Sequence, residues 1–246
     1  MNGSASAPDP SRLDEGALRR AAATVRHPLA WALLLLTFTT GLVDAVSYLG
    51  LGRVFTANMT GNVVLLGFGL ANIQGLPVLA PIISLAAFVF GAAAGGALAK
   101  AYPDRQPVHV AIALIIEASL TAGCAIVAGI VAVQPGRVTG YVLIAALALA
   151  MGVRNATVRR IGVADLTTTV LTMTLTALAA DSRLFGGSGA GSPRRSSAVI
   201  AMLAGALIGA LLLKTSLVAP LLGAAGLALV TWLVYRRAAG IRVFSP

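Results

Sequence analysis

Apolar residues in this chain come in long unbroken runs rather than in alternation. Runs of spanning length cover Leu29 to Leu51, Val78 to Ala99, Val110 to Val133, Gly140 to Gly152 with its continuation, Ser197 to Leu213, and Leu217 to Tyr235. A bilayer core of roughly 30 Å takes about 20 residues of helix at 1.5 Å per residue, so these runs predict six membrane-spanning helices. Two stretches between them are shorter and more polar. They are Asn58 to Ala71, and Asp165 to Ala180 with Thr167, Thr168, Thr169, Thr172, Thr174 and Thr176. Each reads either as a thin span or as a half-helix that dips into the membrane and returns.

The distribution of basic residues separates these options, because Lys and Arg are retained on the cytoplasmic side of membrane proteins. If both short segments re-enter, only Arg53, Arg137 and Lys214 are left outside. With eight crossings, Lys100, Arg105, Arg154, Arg159 and Arg160 join Arg53 and Lys214 outside while Arg137 moves inside, and the asymmetry is diluted. Six spans are therefore expected, with eight as the alternative. Trp31 at the start of the first span, and Trp232 and Tyr235 at the end of the last, fit an interfacial belt under either count.

A repeat is visible in the same order of elements. Gly41-Leu-Val-Asp44-Ala45 precedes Ala57-Asn58-Met59-Thr60-Gly61-Asn62-Val63, and Gly152-Val-Arg154-Asn155-Ala156 precedes Ala164-Asp165-Leu166-Thr167-Thr168-Thr169-Val170. Downstream of each lies a small-xxx-small pair, Gly91 with Gly95 and Gly205 with Gly209, of the kind that lets helices approach closely. Under six spans the second copy starts from the opposite side, which is the inverted-topology plan of many transporters. The expected fold is thus an all-α membrane protein, a polytopic helix bundle of six full spans plus two short re-entrant helices in an inverted repeat. Its expected parts are a disordered cytoplasmic tail (1–28), a first membrane repeat (29–133), a second (134–236) and a C-terminal tail (237–246).

Composition narrows the function classes. Of 246 residues 58% are apolar and 11% charged, too oily for a soluble protein of this size. The net charge of +10 belongs to tails and loops beside apolar runs, where anionic lipid accounts for it without nucleic acid. Cys124 is the single cysteine, so no internal disulfide forms, and it reads as a small core residue. The polar first residues, with Arg12, Arg19, Arg20 and Arg26, precede an apolar run longer than a signal-peptide core and without an A-x-A site, so a cytoplasmic tail is expected rather than a cleaved leader.

Taken together, Gly41-Leu-Val-Asp44-Ala-Val, Ala57-Asn-Met-Thr-Gly-Asn62-Val-Val-Leu-Leu-Gly67, Met151-Gly-Val-Arg-Asn155-Ala and Thr168-Thr-Val-Leu-Thr-Met-Thr-Leu-Thr176 make the chain resemble the YoaK-type family of bacterial integral membrane proteins. The likeness runs from about Leu29 to Tyr235, and Asn-Met-Thr-Gly-Asn is its most specific part. It implies a membrane protein and supplies no chemistry, because the family has no established biochemical activity. Arg154 stands where the family pattern has Gln, and Met173 where it has Gly.

The candidate chemistry lies in polar groups at membrane depth. Asp44 shares a helical stripe with Thr37, Thr40, Gly41, Ser47 and Tyr48. An acid facing lipid there costs on the order of a few kcal/mol, so the stripe must face protein or water. Asp44 then either handles a solute or ion, or serves structurally by pairing with Arg154 or capping a broken helix. Glu117 has apolar neighbours on both sides and either binds a proton or cation in transport or bonds to Ser or Thr of the next helix. Asn58, Thr60 and Asn62 stand at the expected start of the first short helix, and Asp165, Thr167 and Thr169 at the start of the second, all suitable as caps. Helices that begin in mid-membrane offer unpaired N–H groups and positive dipole ends to a solute. The solute site is accordingly expected to involve Asn58, Asn62, Asn155 and Thr168 to Thr172, with the Gly91 and Gly205 pairs packing the helices. No catalytic residue, cofactor or metal is expected, since His27 and His109 have no ligand cluster or nucleophile around them. Neither Lys100 nor Lys214 completes a phosphate-binding loop. The sequence reading is a small-solute permease or ion-coupled transporter of the cytoplasmic membrane with both termini inside. A non-transporting scaffold is the first alternative, and a lipid-acting membrane enzyme is disfavoured.

Overall fold

A computed structural model describes residues 28–103, 105–161, 171–182 and 191–238, with Gly186, Gly187 and Gly189. The tails at 1–27 and 239–246, and Asp165, Thr167, Thr168 and Thr169, lie outside the described residues. The described chain is helical and has no strand. It comprises α1 (Pro28–Ala45), extended by a π-helical turn (Val46–Gly50), then α2 (Met59–Leu70), α3 (Leu79–Ala101), α4 (Gln106–Ile130), α5 (Val138–Ile161), α6 (Leu171–Ala180), α7 (Ser192–Leu213) and α8 (Val218–Ala238). Among the described residues six helices are long and apolar enough to cross a membrane, and α2 and α6 are the two shorter apolar ones.

Two apolar clusters mark the two ends of the bundle. Ala30 and Leu33 of α1, Val110 of α4, Val158 of α5, Ala198 of α7 and Tyr235 of α8 pack together at what is called here the tail face. Val46, Leu51, Ala80, Cys124, Leu143 and Leu221 pack together toward the opposite face. Hence α1, α4 and α7 run away from the tail face, and α3, α5 and α8 run back to it. The second repeat begins on the side where the first did not.

The short helices follow from this frame. Leu51, before α2, and Ala80, after it, belong to the same cluster, and Arg53 Nη1 donates to Gly75 O at 3.3 Å. Between them the chain dips inward until Ala57 packs on Ala150 and Met151, halfway along α5. Thus α2 starts at mid-depth and climbs back to the face it came from. At the other end, α5 finishes and α7 begins at the tail face. The last turn of α6 is pinned there by Arg195 of α7, which donates to Ala177 O at 3.0 Å and Asp181 Oδ2 at 2.7 Å.

The repeats exchange partners rather than forming separate bundles. Helix α1 crosses α7, and α5 crosses α3, through matching glycines. A Cβ on Gly41 would overlap Met202 O, and one on Gly152 would overlap Phe88 O. On the facing helices, a Cβ on Gly205 would overlap Phe38 O, and one on Gly91 would overlap Leu149 O. One step along, Gly209 faces Leu42 and Ala45, and Gly95 faces Val153 and Ala156. The two crossings are thus equivalent residue by residue. Only glycine permits such backbone contact between spans, and removing water cannot drive association inside a bilayer, so the close fit carries the packing. Span α1 is the central element, 78% buried, while α3 and α7 are 22% and 17% buried and turn most of their surface outward.

This topology makes a direct prediction. A reporter placed between Tyr102 and Pro107 is expected on the opposite side of the membrane from one placed at Pro135 to Arg137. A reporter at Asn72 to Gly75 is expected on the same side as the latter. If the Asn72 to Gly75 reporter instead shares a side with the first, α2 crosses and the chain has more than six spans.

Candidate functional site

In the polar stripe Thr37, Thr40, Gly41, Asp44 and Ser47 are buried, as is Thr39 nearby, while Tyr48 at its end is half-buried. Thr37, Thr39 and Thr40 donate to carbonyls four residues back, which satisfies hydroxyls in a helix without exposing them. Just beyond Asp44 the helix widens into its π turn, a distortion often found at functional positions.

Asp44 fastens the start of α2. Its Oδ1 accepts the N–H groups of Thr56 at 3.1 Å and Ala57 at 2.9 Å. Residue 58 is the N-cap, but the Asn58 side chain makes no cap bond. The expectation that Asn58 caps this helix is therefore corrected: the anchoring acceptor comes from α1. A carboxylate can reach across because α1 and the returning segment meet at mid-depth, and its charge sits beside the positive end of α2. Its Oδ2, and the neighbouring Thr56 Oγ1, are buried with no hydrogen-bond partner among the described residues.

Glu117 and Arg154 form a second buried polar centre. Arg154 Nη1 donates to Glu117 Oε1 at 2.8 Å, with side chains 2% and 0% exposed. Arg154 Nη2 donates to Thr40 Oγ1 at 2.5 Å. Three spans, α4, α5 and α1, are tied here. The anticipated pairing of Arg154 with Asp44 does not form, because the guanidinium is taken by Glu117. Glu117 bonds a cation of α5 rather than a Ser or Thr.

Asn62 is wholly enclosed and works as a clamp. Its amide accepts from Phe55 N at 2.8 Å and donates to Phe55 O at 2.7 Å and Ser84 Oγ at 3.1 Å. Both backbone groups of Phe55 are thereby satisfied, and the lead-in to α2 is locked against α3.

Beside the start of α2 lies a cavity of about 500 Å³. Asn58, Thr60 and Gly61 from the first turn of α2 line one side, and Leu171 and Thr172 at the start of the described part of α6 line another. Thr40 and Tyr48 of α1, Phe55 and Met202 complete much of the wall, and Tyr48 stacks on Phe55 at 4.9 Å between ring centroids. Among the described residues no charged side chain lines it. Asp44 lies one layer behind, between Thr40 and Tyr48 on its own helix. Of the residues singled out in the sequence, Thr40 and Tyr48 of the polar stripe meet Asn58, Thr60 and Thr172 at this cavity. Asn155 does not: its Nδ2 donates to Met151 O at 2.9 Å, and the residue lines a separate groove between α3 and α5. Sequence reasoning missed Phe55 and Met202 as wall residues, since nothing in an apolar run distinguishes a cavity wall from a lipid face. No group of three or more His, Cys, Asp or Glu able to hold a metal occurs among the described residues.

Six helices long and apolar enough to span a bilayer, with two shorter apolar helices meeting at one cavity, define a polytopic integral membrane protein. The chain belongs to the family described as "Protein of unknown function (DUF1275)", whose model matches residues 32–234. It is 35% identical over 167 residues to the "UPF0700 transmembrane protein YoaK" of Bacillus subtilis (strain 168), covering 67% of this chain and 71% of that relative. No solved structure matches the chain.

Proposed function

We propose that the protein is a permease for a small, uncharged polar solute, working in the cytoplasmic membrane with its tail face inside. The observation that carries this reading is the cavity at which the first turn of α2 meets the first described turn of α6. Half-helices that start in mid-membrane present backbone donors where no lipid-facing structure would leave them, and solutes are received at such places in transporters. The described wall supports the choice of solute: hydroxyls and an amide from Thr40, Asn58, Thr60 and Thr172 stand against Phe55, Tyr48 and Met202, with no charged side chain among the described lining residues. Asp44 is the coupling group of this reading, because its Oδ2 remains free to take a proton or small cation while Oδ1 holds α2. The concentration of Lys and Arg at the tail face supports its assignment to the cytoplasm.

A scaffold without transport is favoured by one observation: Glu117, Arg154 and Asn62 are all closed off against protein partners. Flux separates the two readings. Purified protein in liposomes, assayed with a panel of neutral polyols, amides and amino-alcohols, is expected to transport at least one of them. Asp44→Asn should lower that flux by about tenfold or more at equal folded yield, and Thr172→Val by severalfold. Absence of flux for the whole panel in folded protein, or equal flux in Asp44→Asn, removes the transport assignment or the coupling role respectively.

A further inference from the structure

The groove that holds Asn155 lies outside the proposed solute path and has a chemistry of its own. It is a cleft of about 760 Å³ between α3 and α5, running from mid-bundle to the tail face. Its deep walls are Phe88, Ala92 and Gly96 on α3 and Ala156 on α5; its outer end is rimmed by Lys100, Arg159 and Arg160. None of these three cations has an ion pair or hydrogen bond among the described residues. The described acids are engaged elsewhere: Asp44 at α2, Glu117 on Arg154, Asp181 on Arg195.

We infer that this groove binds an anionic phospholipid, its phosphate headgroup between Lys100, Arg159 and Arg160 and one acyl chain along the apolar walls beneath. A simpler role for these cations is to offset the negative ends of α3 and α5, which both finish here. That role is too small for all three. Each helix end carries about half a negative charge, so two ends take up roughly one positive charge and leave about two for a ligand. Position selects the occupant. The cations stand in the last turns of two spans, at the depth of headgroups, and the cleft below them opens between apolar helices; basic pockets of this kind between spans receive anionic headgroups. The space beside Gly96 is open, since a Cβ there would meet nothing within 4 Å.

The test uses full-length protein and native mass spectrometry after exchange into vesicles of phosphatidylglycerol or of phosphatidylcholine. The wild type is expected to retain phosphatidylglycerol at least tenfold better than phosphatidylcholine. The triple substitution Lys100→Gln, Arg159→Gln, Arg160→Gln should lose about tenfold or more of that retention, each cation being worth roughly fivefold at an anionic surface. Gly96→Leu fills the cleft, leaves every charge in place, and should lower retention severalfold. Arg236→Gln with Arg237→Gln removes two cations from the same face outside the groove and should leave retention close to wild type. Equal loss from the Arg236 and Arg237 pair, no loss with Gly96→Leu, or displacement by millimolar inorganic phosphate would each overturn the site as a lipid groove. Thermal melting of each variant identifies any that lose retention only because they unfold, and the charge-preserving Gly96→Leu then decides.

Discussion

Glu117→Leu is expected to destabilise the protein by about 3–5 kcal/mol, among the largest effects of any single substitution in the bundle. It leaves Arg154, 1% exposed, without its carboxylate in the centre of three packed spans. A guanidinium cannot shed its proton, and only Thr40 Oγ1 remains to it. Arg154→Met should cost less, because the carboxyl left behind can become neutral by taking a proton. The double change Glu117→Leu with Arg154→Met should recover most of the loss, since well-packed apolar residues commonly replace buried ion pairs at little cost. Denaturant titration in detergent micelles, read as a double-mutant cycle, gives the coupling. Independent, additive losses would mean that the 2.8 Å contact contributes no coupling between α4 and α5. Flux distinguishes this role from transport chemistry: if the pair is an anchor, the double variant regains flux along with stability.

What the sequence disclosed follows a physical division. Spans depend on local composition, so the expected limits lie within a few residues of the observed ones, except that α7 starts at Ser192 rather than Ser197. Its first turn holds Arg194 and Arg195, which hydropathy rejects. Burial tolerates them because Arg195 bonds the last turn of α6. The order of a polar helix, a short helix and a glycine-faced helix was also legible, and with it the re-entrant reading from loop charge. Partner choice was not. Gly91 and Gly205 announce close packing, but nothing in their own neighbourhood says that α3 packs on α5 and α7 on α1, across the repeats. Arg154 looked equally suited to Asp44 or Glu117, as both are acids at depth; only the three-dimensional return of residues 54–58 shows that Asp44 is occupied with backbone N–H groups. The cavity wall was half visible, through Thr40, Tyr48, Asn58, Thr60 and Thr172, because polar residues stand out in an apolar chain. Its apolar half was not, since packing alone distinguishes Met202 from neighbours such as Leu203 that face outward.

The glycine crossings give the second large effect. Gly41→Ala, Gly152→Ala, Gly91→Ala and Gly205→Ala are each expected to cost about 1–3 kcal/mol, the ordinary range for forcing a methyl into a full space. The same changes to Leu are expected to prevent the fold. In all four the obstacle is backbone carbonyl oxygen, at Met202, Phe88, Leu149 and Phe38 respectively, and backbone cannot swing aside as a long side chain does. Gly67→Ala and Gly123→Ala supply the contrast. A Cβ at either meets nothing within 4 Å, and both lie inside helices, so alanine should be neutral or stabilise by up to about 1 kcal/mol through helix propensity. The repeat sharpens the expectation: Gly41 corresponds to Gly152 and Gly91 to Gly205, and members of each pair should lose similar amounts because they meet matching atoms. Unfolding in detergent at increasing dodecyl sulfate measures all six. If Gly152→Ala behaves like Gly123→Ala, the helices α3 and α5 do not touch at their backbones. If only the Gly41 and Gly205 variants suffer, the equivalence of the two crossings fails, and with it the pseudo-twofold arrangement that brings α2 and α6 to one cavity.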